Sequence, residues 1–282
     1  MSLLKHTVSA LERRFPLKLA STAWDNVGVL LEAPTARAQA NKVLLTIDLT
    51  STVLQEALAD PQVGMVVAYH PPIFRGIKEF TMSDPKQAIL LQCAAKGISV
   101  YSPHTAWDNN GQGNADWLAT CLDTPVSAVE TILPVDNPSD DHPGAGTGRL
   151  VTLGEPRTLS QLVASLKRHL ELPHLRVAPS DCHWAENTDR QPIRSVAICA
   201  GSGASVLTRT KADLFLTGEM SHHDVLAAVE DRTSVILCEH SNSERGFLKQ
   251  VVQPLLEEAF RAQALDYTVT CSRVDRDPLS CW

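Results

Sequence analysis

Short apolar runs alternate with segments of helical periodicity along most of the chain. In the first half, this pattern predicts strands at 42–48, 64–69 and 98–101, and helices at 51–60, 85–95 and 113–122. The β-α-β-α-β-α order favours a largely parallel sheet covered by helices, because parallel strands require crossover connections.

The second half repeats this alternation after a segment crowded with Gly, Pro, Asp and Ser at 136–148. Thr158 and Gln161 have the spacing of a capping box, and Pro254 predicts a kink or break near Val252 in the last helix. A polar loop is expected at 181–192. Strands are predicted at 149–153, 175–178, 193–200, 213–216, 234–238 and 267–272, and helices after Thr158 and at 204–210, 222–230 and 242–262.

These elements predict an α/β fold of two lobes, with mostly parallel sheets flanked by helices. The N-terminal lobe is expected at 1–135, the connecting loop at 136–148 and the C-terminal lobe at 149–282. A chain of 282 residues has ample material for two modest cores.

Composition and charge narrow the function. The formal net charge is −7, so the chain has no general basic field for nucleic acid, and direct binding to nucleic acid is not expected. The seven cysteines form an odd set without a C-x-x-C pair, which is typical of buried thiols in a reducing compartment.

No apolar stretch approaches the ~20 residues that a membrane helix requires, so no membrane association is expected. A cytoplasmic location is predicted, with a mitochondrial or nuclear fraction as the alternative. The weakly amphipathic, mostly basic pattern at residues 1–20 motivates the mitochondrial alternative.

Histidines stand where predicted strands end. His70 follows a strand directly and precedes two prolines; His104 follows the next strand and lies four residues before Asp108. Asp108 can ligate a metal while His104 ligates or acts as acid or base. A histidine that caps a strand end and a plain Asp-Asn-Asn-Gly turn are the structural alternatives.

His240 and Glu244 stand four residues apart where a strand gives way to a helix, which suits a shared metal ion. The rival interpretation is a capping box in which Glu244 bonds back to the Ser241 backbone.

A further polar cluster, Thr217 to Asp224, brings Glu219, His222 and His223 close together after a strand. These residues can supply a general base or acid, and a polar helix start that faces solvent is the structural alternative. The nearby Gly201-Ser202-Gly203 offers a weaker anion site before a helix.

Six segments resemble, in order, the motifs of the NIF-three-like family (DUF34), also called GTP cyclohydrolase I type 2 homologs, and the eukaryotic branch is the closer match. The segments are W-D-N-V-G-V-L (24–30), Y-H-P-P-I-F (69–74), Y-S-P-H-T-A-W-D (101–108), T-G-E-M-S-H-H-D (217–224), E-H-S-N-S-E-R-G-F (239–247) and D-R-D-P-L (275–279).

The resemblance implies a metal cleft between the lobes, with His70, Asp108, His240 and Glu244 as ligands and Glu244 as the bridging carboxylate. Tyr69 stands where many bacterial members have a second histidine, so one ion loses a ligand unless His104 replaces it. One or two divalent ions per chain are expected, chosen from Zn, Fe, Mn and Mg.

The implied function is a metal-dependent hydrolase acting on a nucleotide or another small molecule, with Glu219, His222, His223 and His104 moving protons. The alternative is a metal-stabilised scaffold or transcription-linked regulatory protein with a protein partner. The resemblance also implies a homo-oligomer, a hexameric ring.

Overall fold

The computed structural model describes residues 2–135, 141–184 and 191–280. Residues 136–140 of the predicted connecting loop and 185–190 of the predicted polar loop therefore lie outside the described residues. The chain forms two compact units. The first comprises Met1–Trp107 and Phe247–Arg276, and the second comprises Asp108–Gly246 and Asp277–Trp282.

The first unit contains a five-stranded sheet in the order β1-β4-β3-β2-β11, in which every neighbouring pair except β1–β4 is parallel. The predicted parallel sheet is therefore confirmed here. Its strands are β1 (Gly28–Leu31), β2 (Lys42–Thr46), β3 (Val63–Ala68), β4 (Ser99–Ser102) and β11 (Thr268–Cys271). The accompanying helices are α1 (Leu3–Arg14), α2 (Ser51–Ala59), α3 (Pro85–Ala95), α4 (Thr105–Asp108) and α10 (Gln253–Ala262).

Local sequence explains the helix starts in this unit. The Thr50 side chain accepts from the N–H of Val53, and the Asp84 side chain accepts from the N–H of Gln87, with Pro85 at the first helical position. These caps satisfy backbone donors that a helix start leaves open. One face of each helix then packs on β3 and β4, as the buried residues Val53, Leu54, Ile89 and Leu90 show.

The second unit contains a six-stranded sheet in the order β5-β6-β8-β9-β10-β7. Only β8–β9 and β9–β10 are parallel, so this sheet is mixed rather than mostly parallel. Its strands are β5 (Val126–Pro134), β6 (Gly146–Arg157), β7 (Arg176–Ala178), β8 (Ile193–Ser202), β9 (Leu214–Glu219) and β10 (Ser234–Leu237), and its helices are α5 (Asn114–Thr120), α6 (Leu159–His169), α7 (Ala204–Leu207) and α8 (His222–Glu230).

Strand β5 was not predicted from the pattern. It lies at the edge of its sheet and its first five residues are exposed, so burial imposes no alternation of apolar and polar positions on them. The predicted capping box at Thr158 and Gln161 is confirmed, with both side-chain bonds formed at 3.2 and 2.9 Å.

The two units differ in extent from the predicted lobes 1–135 and 149–282. Two features account for the difference. Strand β5 precedes residue 135 but pairs with β6 of the second sheet, and β11 pairs in parallel with β2 and so returns the C-terminal region to the first sheet. Helix α9 (Asn242–Phe247) contains the point in the chain, between Gly246 and Phe247, at which the second unit ends and the first unit resumes. A π-helical segment, Leu248–Val252, follows α9 and precedes α10, so the irregularity predicted from Pro254 is confirmed.

Across the described part of the chain, the helices are too short or too polar to traverse a lipid bilayer.

Candidate functional site

The second unit brings His240, Glu244 and Glu219 together. Nδ1 of His240 lies 2.9 Å from Oε1 of Glu219, at the end of β9, and Nε2 of His240 lies 3.6 Å from Oε1 of Glu244 in α9. When Nδ1 donates its proton to Glu219, Nε2 carries the lone pair that a metal ion requires. In that tautomer, His240 has a nitrogen available as a metal ligand.

The backbone that presents His240 is strained and anchored. Glu239 has a left-handed φ of 68°, and the Arg176 guanidinium donates to its two carboxylate oxygens at 2.7 and 3.0 Å. This bidentate pair holds the turn that follows β10, and a left-handed residue persists only where the surroundings enforce it.

The capping-box interpretation of Glu244 is wrong. The N–H and hydroxyl of Ser241 both donate to Oδ2 of Asp277, at 3.1 and 2.7 Å. Asp277 thereby takes the backbone donor that a capping box would give to Glu244. The Glu244 side chain is 4% exposed, and a carboxylate this deeply buried is stable as an anion only beside hydrogen bonds or a cation.

Gly201, at the end of β8, leaves space for this pair. A Cβ at this position would lie 3.0 Å from both Oε1 of Glu244 and Nε2 of His240, and φ is 62°. The N–H of Gly201 donates to Oγ of Ser243 at 2.8 Å, and Ser243 donates to the His240 carbonyl at 2.6 Å. Gly201 is thus held in place by hydrogen bonds, and its lack of a side chain leaves room for the two potential ligand atoms. The anion site predicted at Gly201-Ser202-Gly203 lacks a suitable helix, because α7 has only four residues.

Asp108, at the end of α4, belongs to the same surroundings. Burial, together with the negative charges of Asp108 and Glu244, raises the pKa of the Cys199 thiol to about 12. Both carboxylates therefore act on one buried sulfur, and a ligand role for Asp108 remains a prediction. A cluster of imidazole and carboxylate groups is a donor set that suits Zn, Fe or Mn.

The first unit carries two further carboxylate–histidine pairs. Nδ1 of His70 lies 3.0 Å from Oδ1 of Asp48, and Nδ1 of His104 lies 2.7 Å from Oδ1 of Asp25. Asp48, His70 and His104 follow the neighbouring strands β2, β3 and β4, so the sheet order explains why the two imidazole rings lie 5.5 Å apart.

Asp25 is the most enclosed carboxylate of these pairs. Its side chain is fully buried and accepts from His104, the N–H and hydroxyl of Thr105, and the N–H of Asn26. Burial alone would raise the pKa of Asp25, but the hydrogen bonds from His104 and Thr105 lower it below the ordinary value of 3.8. His104 itself has a left-handed φ of 36°.

Tyr69 belongs to the core of the first unit. Its ring is fully buried, 5.4 Å from the Trp107 ring, and Trp107 packs in turn on Phe15 and Phe247. The departure from the bacterial His-His pattern thus has a packing role.

His222 and His223 lie exposed in the first turn of α8, whose start is capped by Ser221. Their rings are 5.2 Å apart. The solvent-facing helix start weighed for this cluster therefore describes His222 and His223, whereas Glu219 has a defined partner in His240. Catalytic roles for all three remain predictions.

Asp48 and Asp277 were missed as site residues, Gly201 was considered only as part of an anion site, and no partner was predicted for Asp25. Asp48 had a usable signal, since it ends a strand beside the one that ends at His70. Asp25 and Asp277 lie in two of the six motifs, but only tertiary contacts assign them partners.

The fold and the His240–Glu244 pair define an α/β protein with a candidate metal site. The sequence model of Duf34/NIF3 (NGG1p interacting factor 3) matches residues 2–278. The chain is 46% identical over 263 residues to the Schizosaccharomyces pombe protein NIF3 homolog, covering 93% of this chain and 92% of the homolog. It is 38% identical to the Saccharomyces cerevisiae NGG1-interacting factor 3, covering 98% and 96%.

Among solved structures, the Bacillus cereus protein related to NIF3 superposes with a TM-score of 0.81 at 20% identity, covering 99% of this chain and 98% of that one. The chain belongs to the Duf34/NIF3 family. The resemblance inferred from the six motifs and the α/β fold class are both confirmed.

Proposed function

We propose that this protein binds a divalent metal ion through His240, Glu244 and Asp108 and hydrolyses a nucleotide or another small molecule. One observation carries the metal proposal. Glu219 contacts Nδ1 of His240, and Nε2 of His240 lies 3.6 Å from the buried Glu244 carboxylate, next to Gly201. An orienting carboxylate behind an imidazole is the usual outer partner of a metal-ligating histidine.

The donor atoms fit such an ion. Imidazole nitrogen with carboxylate oxygen suits Zn, Fe or Mn, and a carboxylate-rich variant of the site suits Mg. His70 belongs to the first unit and enters the ligand set through the resemblance alone, as does the bridging role of Glu244. A second ion, the location of the site in a cleft and a hexameric ring likewise remain proposals.

A bound divalent ion would lower the pKa of a water molecule from ~15.7 towards 7 and polarise the bond to be hydrolysed. The residues of this chain have separate tasks. Glu219 keeps His240 in one tautomer, and Asp25 does the same for His104. His104 thereby offers Nε2 for proton transfer, the role expected of it, and His222 and His223 are exposed enough to exchange protons with solvent.

Metal content tests this proposal. We expect the purified protein to hold one or two divalent ions per chain by elemental analysis, and His240→Ala and Glu244→Ala each to abolish most of this content. His174→Ala is the matched control, since His174 is an exposed histidine with no part in the site. His70→Ala tests whether the first unit contributes its expected ligand. Full metal content in His240→Ala would contradict the site.

Hydrolysis is tested separately, by screening the metal-loaded protein on nucleotides and phosphoesters. Turnover that is lost in His240→Ala and retained in His174→Ala supports the enzyme. Metal binding without turnover favours the second candidate, a regulatory scaffold.

The scaffold candidate rests on the yeast relative, which is named for an interaction with NGG1. A scaffold should keep its protein partner in Glu219→Ala, whereas an enzyme should lose its activity. The net charge of −7 gives no reason to expect nucleic acid as that partner. A cytoplasmic location remains the prediction for either role.

A further inference from the structure

We propose that Trp24 and Phe74 form, with His104, a binding site for the planar aromatic ring of a small molecule. All three residues belong to the first unit. The assignment of this ring to the substrate rests on the proposed function, whereas ring binding itself does not depend on a metal ion.

The two aromatic side chains are exposed although the backbone around them is fixed. Trp24 is 58% exposed and Phe74 is 44% exposed. Asp25, next to Trp24, is tied to His104 and Thr105 by its buried carboxylate. The side-chain Nδ2 of Asn26 donates to the backbone carbonyl of Ile73 at 2.5 Å, and this hydrogen bond joins the segments that carry the two rings. Rigid display of large apolar rings to solvent is unfavourable unless a partner covers them.

The rings surround the His104 imidazole. The ring centres of Trp24 and Phe74 lie 6.0 and 6.3 Å from that of His104, at interplanar angles of 86° and 80°, and 6.2 Å from each other. These tilted contacts leave more than half of the Trp24 surface to solvent. A planar ring stacked on the indole would bring its substituents close to the His104 imidazole, whose Nδ1 is held by Asp25.

The size of this surface favours a small molecule over a protein. A stable protein interface buries about 800 Å² per partner. A fully buried aromatic side chain contributes about 150–250 Å², and Trp24 and Phe74 are each only about half exposed. A flat ring of one or two cycles matches this area, and a polar histidine beside the two rings suits a substituted, heteroatom-bearing ring.

Benzamide and cyclohexanecarboxamide are suitable probes, because they share one amide and differ in whether the ring is planar and aromatic. The full-length protein is titrated with each by NMR, observing the probe and the Trp24 indole N–H. We expect benzamide to bind more tightly than cyclohexanecarboxamide, and Trp24→Leu to weaken benzamide about 5-fold or more, as loss of one stacking partner does. Trp24→Phe keeps a ring and should bind closer to the wild type.

Trp184→Leu is the matched control, since Trp184 is a 46% exposed tryptophan of the second unit. It should leave benzamide binding unchanged. Thermal unfolding and sedimentation of each variant establish that it is folded and report its oligomeric state. Equal binding of the two amides, unchanged binding in Trp24→Leu, or an equal loss in Trp184→Leu would overturn the proposal. So would an oligomer that dissociates in Trp24→Leu while benzamide binding persists, because the rings would then belong to an interface between copies.

The same titration in His240→Ala separates this site from the metal proposal. Loss of metal with retained, Trp24-dependent benzamide binding supports both. Retained metal in His240→Ala with such binding overturns only the metal site. In the wild type, normal metal content without benzamide binding overturns only the ring site.

Discussion

The Asp25–His104 pair of the first unit and the Glu219–His240 pair of the second have the same chemistry in opposite surroundings. The Asp25 side chain is fully buried, and His104 is 17% exposed. Glu219 and His240 are 48% and 37% exposed. Asp25 accepts four hydrogen bonds, so His104 is held by the folded backbone around it. Glu219 is open to solvent on the side away from His240.

The difference shows that two histidines oriented by carboxylates can have different roles. One orientation stabilises the fold, whereas the other prepares a histidine to bind a ligand. Exposed ion pairs contribute at most about 1 kcal/mol, whereas hydrogen bonds to a buried charge contribute about 1.5–3 kcal/mol. We therefore expect the first pair to affect stability and the second to affect metal affinity. Four substitutions test this division.

Asp25→Asn should have the largest effect, lowering the free energy of unfolding by about 1.5–3 kcal/mol at pH 7. The asparagine side chain would place N–H groups against the donors of His104 and Thr105, which now share the carboxylate as their acceptor. Because the pKa of Asp25 is lowered in the folded state, its stabilisation is present above the ordinary value of 3.8 and is lost as pH falls through the lowered value. Urea unfolding at pH 7 and pH 3 should show the difference from wild type shrinking in acid. A constant difference would contradict the charged state of Asp25.

Glu219→Ala should lower metal affinity about 10–100-fold, which is about 1.4–2.7 kcal/mol of binding free energy. The stability of the metal-free protein should change by less than about 0.5 kcal/mol. Calorimetric metal titration measures the first and urea unfolding with chelator the second. Glu230→Ala, at the exposed end of α8, is the control. Unchanged metal affinity would mean that Glu219 does not orient a ligand.

Gly201→Ala should destabilise the protein by about 1–2 kcal/mol even without metal, because φ is 62° and an L-residue is disfavoured there. The added Cβ would also press on His240 and Glu244, so metal affinity should fall. Gly76→Ala, where a Cβ meets nothing within 4 Å, is the control for glycine substitution. Equal unfolding curves for both variants would argue against a backbone conformation at Gly201 that requires glycine.

Asp277→Ala should have the smallest effect, about 1 kcal/mol, as for loss of a helix cap. It removes the acceptor for the N–H and hydroxyl of Ser241. Thermal unfolding gives the stability change. If Glu244 then took over the cap, metal affinity would also fall, and a double variant with Glu244→Gln would show non-additive stability effects.

Much of the candidate site follows from local sequence. His70, His104 and His240 each follow a strand that periodicity predicts, and adjacent strand ends explain why His70 and His104 approach one another. The orienting carboxylates do not follow from spacing: Asp25 lies 79 positions from His104. Glu219 was selected as an acid or base, and this role remains a prediction; its contact with His240, 21 positions away, does not follow from spacing either.

The fold shows the same limit. Continuous apolar runs identified β2 and β3, because nearly every residue of these two strands is buried. The helix at His222–Glu230 was also predicted, although it buries Ala228 alone. The exposed edge strand β5 has no such constraint, and the pairing of β11 with β2 is a contact between the two ends of the chain. A boundary drawn from breakers alone therefore could not locate the units.

The sequence by itself determined the strand ends, the helix caps at Thr50, Asp84 and Thr158, and the order of motifs that identifies the family. These depend on residues within a few positions of each other, where backbone geometry and burial act directly. Only the tertiary structure decided that Asp277 accepts from the Ser241 N–H before α9, that Gly201 lies against His240, and that Asp25 holds His104. Each of these contacts joins residues far apart in the chain, and no local propensity encodes them.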